Sequence, residues 1–139
     1  MAALGGEVQY QQVTVTPTAA EVGVANAVLA TITVPADALI LDVMLSTTDM
    51  DTGAGLLFDV GDSAGPATPD DDRFIAAFSG QSADVIHSGY TAGNLTENPI
   101  DYGSLSVTGA TVDIECTINT VAATGANGTL VMGVTFVRP

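Results

Sequence analysis

The chain contains no lysine, no tryptophan, one histidine and one cysteine, and its two arginines, Arg73 and Arg138, stand against sixteen acidic residues. Each shortage excludes a class of chemistry. A formal charge of −14 opposes contact with phosphate, because nucleic-acid binding draws on Lys and Arg that release condensed counterions. Neither nucleic acid nor an anionic membrane is an expected partner. Without lysine there can be no phosphate-cradling glycine loop of the kind that ends in Lys. His87 alone cannot supply a His-rich zinc site or a facial iron triad. Cys116 has no second cysteine to pair with, which removes any intrachain disulfide. Aromatic residues make up 5% of the chain, so Val, Ile, Leu and Ala must fill the core. Long apolar runs are missing as well. Residues 39–45 are the longest candidate, Asp42 interrupts them, and nothing reads as a bilayer span. Residues 1–6 carry neither a basic stretch nor an apolar core, so no signal peptide is expected there.

What the chain does have is 47% hydrophobic residues over 139 positions, enough for one ordinary domain core. These residues alternate with polar ones in short runs separated by turn residues, which predicts strands. Residues 8–15 read as a first strand, although Gln9, Gln11 and Gln12 weaken its apolar face. Residues 1–16 are accordingly either an N-terminal arm that reaches over a neighbouring copy or a first strand, ahead of a sandwich domain over 17–139. Residues 28–34 and 39–46 alternate across Pro35-Ala36-Asp37-Ala38, and so short a connection predicts an antiparallel pair. Leu56, Phe58 and Val60 mark a fourth strand, and residues 61–69 read as a loop. Thr68-Pro69-Asp70-Asp71-Asp72 has the grammar of a helix start, which predicts one or two helical turns over 73–79. A strand through Phe74 and Phe78 is the competing reading. Residues 83–87 suggest a brief strand, and residues 88–103 are irregular. Residues 111–120 and 129–137 alternate cleanly around Asn127-Gly128, which predicts a hairpin.

The expected fold is therefore all-β: a single antiparallel β-sandwich of jelly-roll type with at most one short helix. Alternation assigns Ile32, Val34, Leu41, Val43, Leu45, Phe58, Ile114, Cys116, Ile118, Leu130, Met132 and Phe136 to the core.

Candidate chemistry is sparse. His87 has Ser82, Asp84 and Ser88 nearby, but Gly80-Gln81-Ser82-Ala83-Asp84 is not a nucleophile elbow, and a structural histidine is expected. Cys116, on an apolar strand face, reads as a core residue. Asp49-Met50-Asp51 begins like a calcium loop, yet Ala54 and Val60 stand where an EF-hand needs Gly and Glu. Asp49, Asp51, Asp59, Asp62, Asp70, Asp71 and Asp72 could form a cation site if their loops cluster at one end of the sandwich. Alternatively they are a solvated acidic face. Tyr90 and Tyr102 could stack on a sugar or pack beneath a loop. The sequons at Asn94 and Asn127 are read as accidental, the second being explained by its turn. No catalytic residues and no cofactor are expected, and the chain does not read as an enzyme.

Residues 32–43 (ITVPADALILDV), followed by Phe58-Asp59-Val60-Gly61-Asp62, by Asp72-Arg73-Phe74-Ile75-Ala76-Ala77, and by the closing Gly128-Thr129-Leu130-Val131-Met132 and Phe136-Val137-Arg138, resemble small head-decoration, or cement, proteins of tailed phages. The resemblance covers residues 28–139. It implies a β-sandwich made in the host cytoplasm and bound to the outer surface of an icosahedral head. There it would stabilise the shell against the major capsid protein, most often as a homotrimer. It transfers no individual functional residue, because such proteins act through surfaces. The alternative from another class is a carbohydrate-binding or receptor-adhesion module of a virion spike or cell surface.

Overall fold

A computed structural model describes residues 7–64, 68–88 and 110–138. The described residues form eight strands in this order: β1 (Val8–Val15), β2 (Val28–Val34), β3 (Leu39–Thr47), β4 (Leu57–Ala64), β5 (Asp70–Ser79), β6 (Asp84–His87), β7 (Val112–Thr120) and β8 (Leu130–Val137). They form two four-stranded sheets with strand orders β1-β8-β3-β6 and β2-β7-β4-β5, and every pairing is antiparallel. Successive strands pass from one facing sheet to the other except at β4 and β5, which pair within one sheet, and these two strand orders are the jelly roll, as expected.

The two sheets face each other across a core that alternation explains. Ile32, Val34, Val43, Leu45, Phe58, Ile114, Cys116, Ile118, Leu130, Met132 and Phe136 are all buried. Each strand has a period of two, so one polar-apolar alternation turns every apolar side chain the same way. Leu41 departs from this rule and is 43% exposed, whereas its neighbour Ile40 is buried. The cause is a register shift between Ile40 and Asp42 against β8, which leaves Leu41 as the extra residue of a bulge. One inserted residue reverses the faces on its N-terminal side, and Ile40 takes the core place predicted for Leu41.

Both predicted hairpins are absent. β2 pairs with β7, and β3 pairs with β8 and β6, so Pro35–Ala38 joins strands of opposite sheets. Asp37 adopts φ 65° in that corner. Likewise β7 and β8 lie in different sheets, and the Asn-Gly signal serves a longer connection. Asn127 Oδ1 accepts a hydrogen bond from Ala19 N at 2.8 Å, and Gly128 N donates to Pro17 O at 3.1 Å. A Cβ on Gly128 would strike the Met50 side chain. Its glycine therefore answers to close packing rather than to a two-residue turn.

Residues 73–79 are strand, not helix. Phe74 and Phe78 are both buried, and their four-residue spacing imitates a helical stripe. The bulge in β5 completes the imitation: Phe58 pairs with Phe78 but Val60 pairs with Ile75, a step of three opposite a step of two, so buried Ile75 and Phe78 share a face three residues apart. Ala77 sits at the irregularity with φ 54°, a left-handed conformation uncommon for alanine. The loop expected over 61–69 is shorter than that, because β4 continues through Ala64. Between β1 and β2 a single 3-10 turn, Glu21–Gly23, is bracketed reciprocally. Thr18 N donates to Glu21 Oε2 at 2.7 Å, and Glu21 N donates to Thr18 Oγ1 at 3.3 Å, a capping-box arrangement.

Candidate functional site

The two outer faces of the sandwich differ in chemistry because different residues alternate with the core. On the β2-β7-β4-β5 sheet, the positions between buried Ile114, Cys116 and Ile118 are Asp113, Glu115 and Thr117. Glu115 pairs across to Gly61, and Asp59 pairs with Thr117. Together with Asp71 these acids make the face strongly negative. Thr33 Oγ1 donates to Asp113 Oδ1 at 2.6 Å at its margin. A shallow cleft of about 420 Å³ opens there between Gly61–Ser63, Pro69–Asp71, Glu115 and Thr117.

The seven candidate cation ligands do not gather at one end. Asp51 lies just before β4, whereas Asp62 and Asp70 pair near that strand's far end. Asp49 is exposed, and its Oδ1 accepts from Asp51 N at 3.1 Å. Asp51 is only 2% exposed and accepts four backbone N–H groups. Oδ1 takes Gly53 N and Thr124 N, both at 2.9 Å, and Oδ2 takes Leu56 N at 3.0 Å and Ala123 N at 3.2 Å. Burial alone would raise this carboxyl, but the four donors outweigh it and hold it below the ordinary value of 3.8. The residue is a clamp between two loops.

Asp59 and Asp62 are buried as well, contrary to a solvated acidic face. Asp59 Oδ1 accepts the amide of left-handed Ala77 at 2.8 Å, and Oδ2 accepts Asn119 Nδ2 at 2.8 Å. It therefore holds the β5 bulge in place. Asp62 Oδ1 accepts from Arg73 Nε at 2.8 Å and from Asp70 N at 3.2 Å. Arg73 Nη2 reaches Thr68 O at 2.8 Å, so this buried ion pair ties the start of β5 to β4.

Asp70, Asp71 and Asp72 do meet, with carboxylate oxygens within 4.8 Å of one another. A hydrogen bond to the Asp70 side chain, then partial burial, then the charges of Asp70, Asp59 and Asp71 push Asp72 up to about 6. Like charges crowded on one strand favour a shared proton. The sequence displayed this run openly. It hid the buried roles of Asp51, Asp59 and Asp62, which depend on bulges and loop contacts distant in the chain.

His87, on β6, places Nδ1 2.6 Å from Asp42 Oδ2. Ser88 Oγ accepts from Val43 N at 2.9 Å and donates to Asp42 Oδ1 at 3.4 Å. Asp42 thus stands between histidine and serine, which is not the order that makes serine a nucleophile. Cys116 is buried, and desolvation followed by the charge of Asp59 drives its thiol far above the ordinary range, so it stays a thiol. Tyr90, Tyr102 and the Asn94 sequon lie outside the described residues.

The other outer face, on β1-β8-β3-β6, is nearly neutral. Val8, Tyr10, Gln12 and Thr14 pair with Val137, Thr135, Gly133 and Val131, and the next row is Leu39, Asp42, Met44 and Ser46. A Cβ on Gly133 would meet the Tyr10 ring, so the tyrosine lies down across β8. The described residues offer surfaces of contrasting charge.

No family model matches the sequence, and no curated protein is similar to it. Two solved structures are similar in fold. A chain in the capsid of Ralstonia phage GP4 superimposes with a TM-score of 0.67 at 19% identity, covering 96% of this chain and 86% of that one. A chain in the capsid asymmetric unit of cyanophage Pam1 gives 0.62 at 23% identity, covering 97% and 87%.

Proposed function

We propose that this protein is a structural component of a phage head that decorates and stabilises the outer surface of the icosahedral shell. The observation that carries the reading is the jelly roll itself, shared over nearly the whole chain with chains from two phage capsids. The chemistry is compatible with it. A chain at −14 is repelled from packaged DNA and suits an outward position, and the described residues bring together no nucleophile and base. The reading includes synthesis in the host cytoplasm, attachment to the major capsid protein and assembly as a homotrimer. The test is addition of the purified protein to expanded heads that lack it. Co-sedimentation at a saturating copy number, with a rise in the temperature at which the heads rupture, is the expected result. Heads that neither bind the protein nor gain stability would overturn the proposal.

A further inference from the structure

Among the described residues the sandwich has two open sides, and they differ. One side is bounded by β5 and β6, which carry Asp70, Asp71, Asp72, Arg73 and Asp84. β5 is bulged and β6 is four residues long, two of the devices that stop another strand from adding. The other side is bounded by β1 and β2, VQYQQVTV and VLATITV, without a charged residue in either. β1 pairs with β8 over eight residues in unbroken register. Arg138 N donates to Glu7 O, which makes Glu7 and Arg138 a hydrogen-bonded pair. Antiparallel pairs alternate, so Gln9, Gln11, Val13 and Val15 bond to β8 while Val8, Tyr10, Gln12 and Thr14 turn N–H and C=O to the open edge. Four of the seven exposed large apolar side chains lie on this side, Val8 at 62%, Tyr10 at 52%, Val28 at 52%, and Val24 at 54% in the connection between the strands, against Val85 alone on β6. A cleft of about 400 Å³ lies where β1 meets β2, lined by Thr14–Pro17, Glu21, Val28 and Leu29.

We infer that the β1 edge is the attachment site, and that an extended segment of the major capsid subunit, free of acidic side chains, adds to it as a ninth strand antiparallel or parallel to β1. This rests on the proposed function and names the contact through which it works. The backbone groups of Val8, Tyr10, Gln12 and Thr14 supply the ladder, and the exposed apolar residues and the cleft receive alternate side chains of the incoming strand. Charge selects the occupant. Neither β1 nor β2 carries a charge, while exposed Glu7 precedes β1 and Glu21 lines the cleft, so an acidic segment is repelled there and a neutral or basic one is not.

The experiment compares wild type with Gln12→Pro in binding to expanded heads. Proline removes an N–H that faces the open edge and leaves the bonds to β8 intact, as edge strands tolerate. The expected result is an unchanged melting profile with at least tenfold weaker binding. Gln12→Lys, which puts a charge on the edge without altering the backbone, should weaken binding in the same direction. Hydrogen exchange on wild type gives a readout independent of either variant. On binding, the amides of Val8, Tyr10, Gln12 and Thr14 should slow, while those of Gln9, Gln11, Val13 and Val15, already bonded, should change little. Wild-type binding by both variants, with no slowing at the four edge amides, would overturn the inference while leaving the decoration role standing. Loss of self-association in the isolated protein, with head binding intact, would overturn it in favour of a second copy. Failure of wild type itself to bind heads would overturn the proposed function and this inference together.

Discussion

The two sheets of the sandwich reach stability by different means. In β1-β8-β3-β6 the register runs unbroken along β1 and β8, and the shift at Ile40 is the one irregularity between β3 and β8. Side-chain alternation suffices there, and its outer face is left nearly neutral. In β2-β7-β4-β5, register shifts interrupt β4 against both neighbours, buried Asp59 and Asp62 accept the amides of Ala77 and Asp70 beside those shifts, and Arg73 bonds Asp62 and Thr68 O. Polar side chains can replace lost ladder bonds, but only where every buried donor finds an acceptor. One sheet is therefore held by pattern and the other by specific polar contacts. The second should be the more fragile to single substitutions, and the first the freer to serve as a contact surface.

The sharpest way to break this contrast is Arg73→Ala. It leaves the buried Asp62 carboxylate without its counter-charge and should cost about 3–5 kcal/mol in urea unfolding. A loss under 1 kcal/mol would mean that the β5 anchor is not structural. Ile114→Ala, in the central strand β7, should cost about 2–5 kcal/mol through lost burial and a residual cavity. Asp59→Ala removes the acceptor for Ala77 N and Asn119 Nδ2 and should cost about 1–3 kcal/mol, with Asp59→Asn recovering part of it. Val8→Thr, on the neutral edge, should stay within about 0.5 kcal/mol.

The pH dependence sharpens the same comparison. Asp72 has a folded value of about 6 against an ordinary 3.8, so its contribution is complete below the ordinary value and is lost as pH rises through about 6. Asp51 runs the other way: its contribution is present above 3.8 and is lost as pH falls through its depressed folded value. Asp72→Asn should therefore flatten the change in urea midpoint between pH 4 and pH 6 and leave the loss below pH 4 in place. An unaltered slope in the upper window would refute the assignment to Asp72.

The residues that were legible in the sequence were those governed by local period. Val8–Val15 and Val28–Val34 have the predicted bounds, and eleven of the twelve expected core residues are buried. Leu41 was misassigned because a bulge is one residue long and leaves no compositional mark. The helix expected over 73–79 fails for a related reason: a bulged strand buries Phe74, Ile75 and Phe78 at helix-like spacing, and Pro69 with three acids imitates a helix cap. Among the candidate ligands, the run Asp70–Asp72 was visible, but nothing local distinguished Asp51 or Asp62 from a solvated acid.

Local pattern and composition specified an all-β sandwich, eleven of its core positions and a net charge unsuited to polyanions. Alternation, turn residues and net charge are properties of neighbouring positions and of sums, which any linear reading can collect. Which strand lies beside which depends on contacts between distant parts of the chain. Pro35–Ala38 and Asn127-Gly128 are turn-like in isolation, yet each connects opposite sheets, because a strand's partner depends on burying both sheets' apolar faces at once. The same global requirement left β1 paired on one side alone, and so gave an uncharged segment of eight residues its open edge.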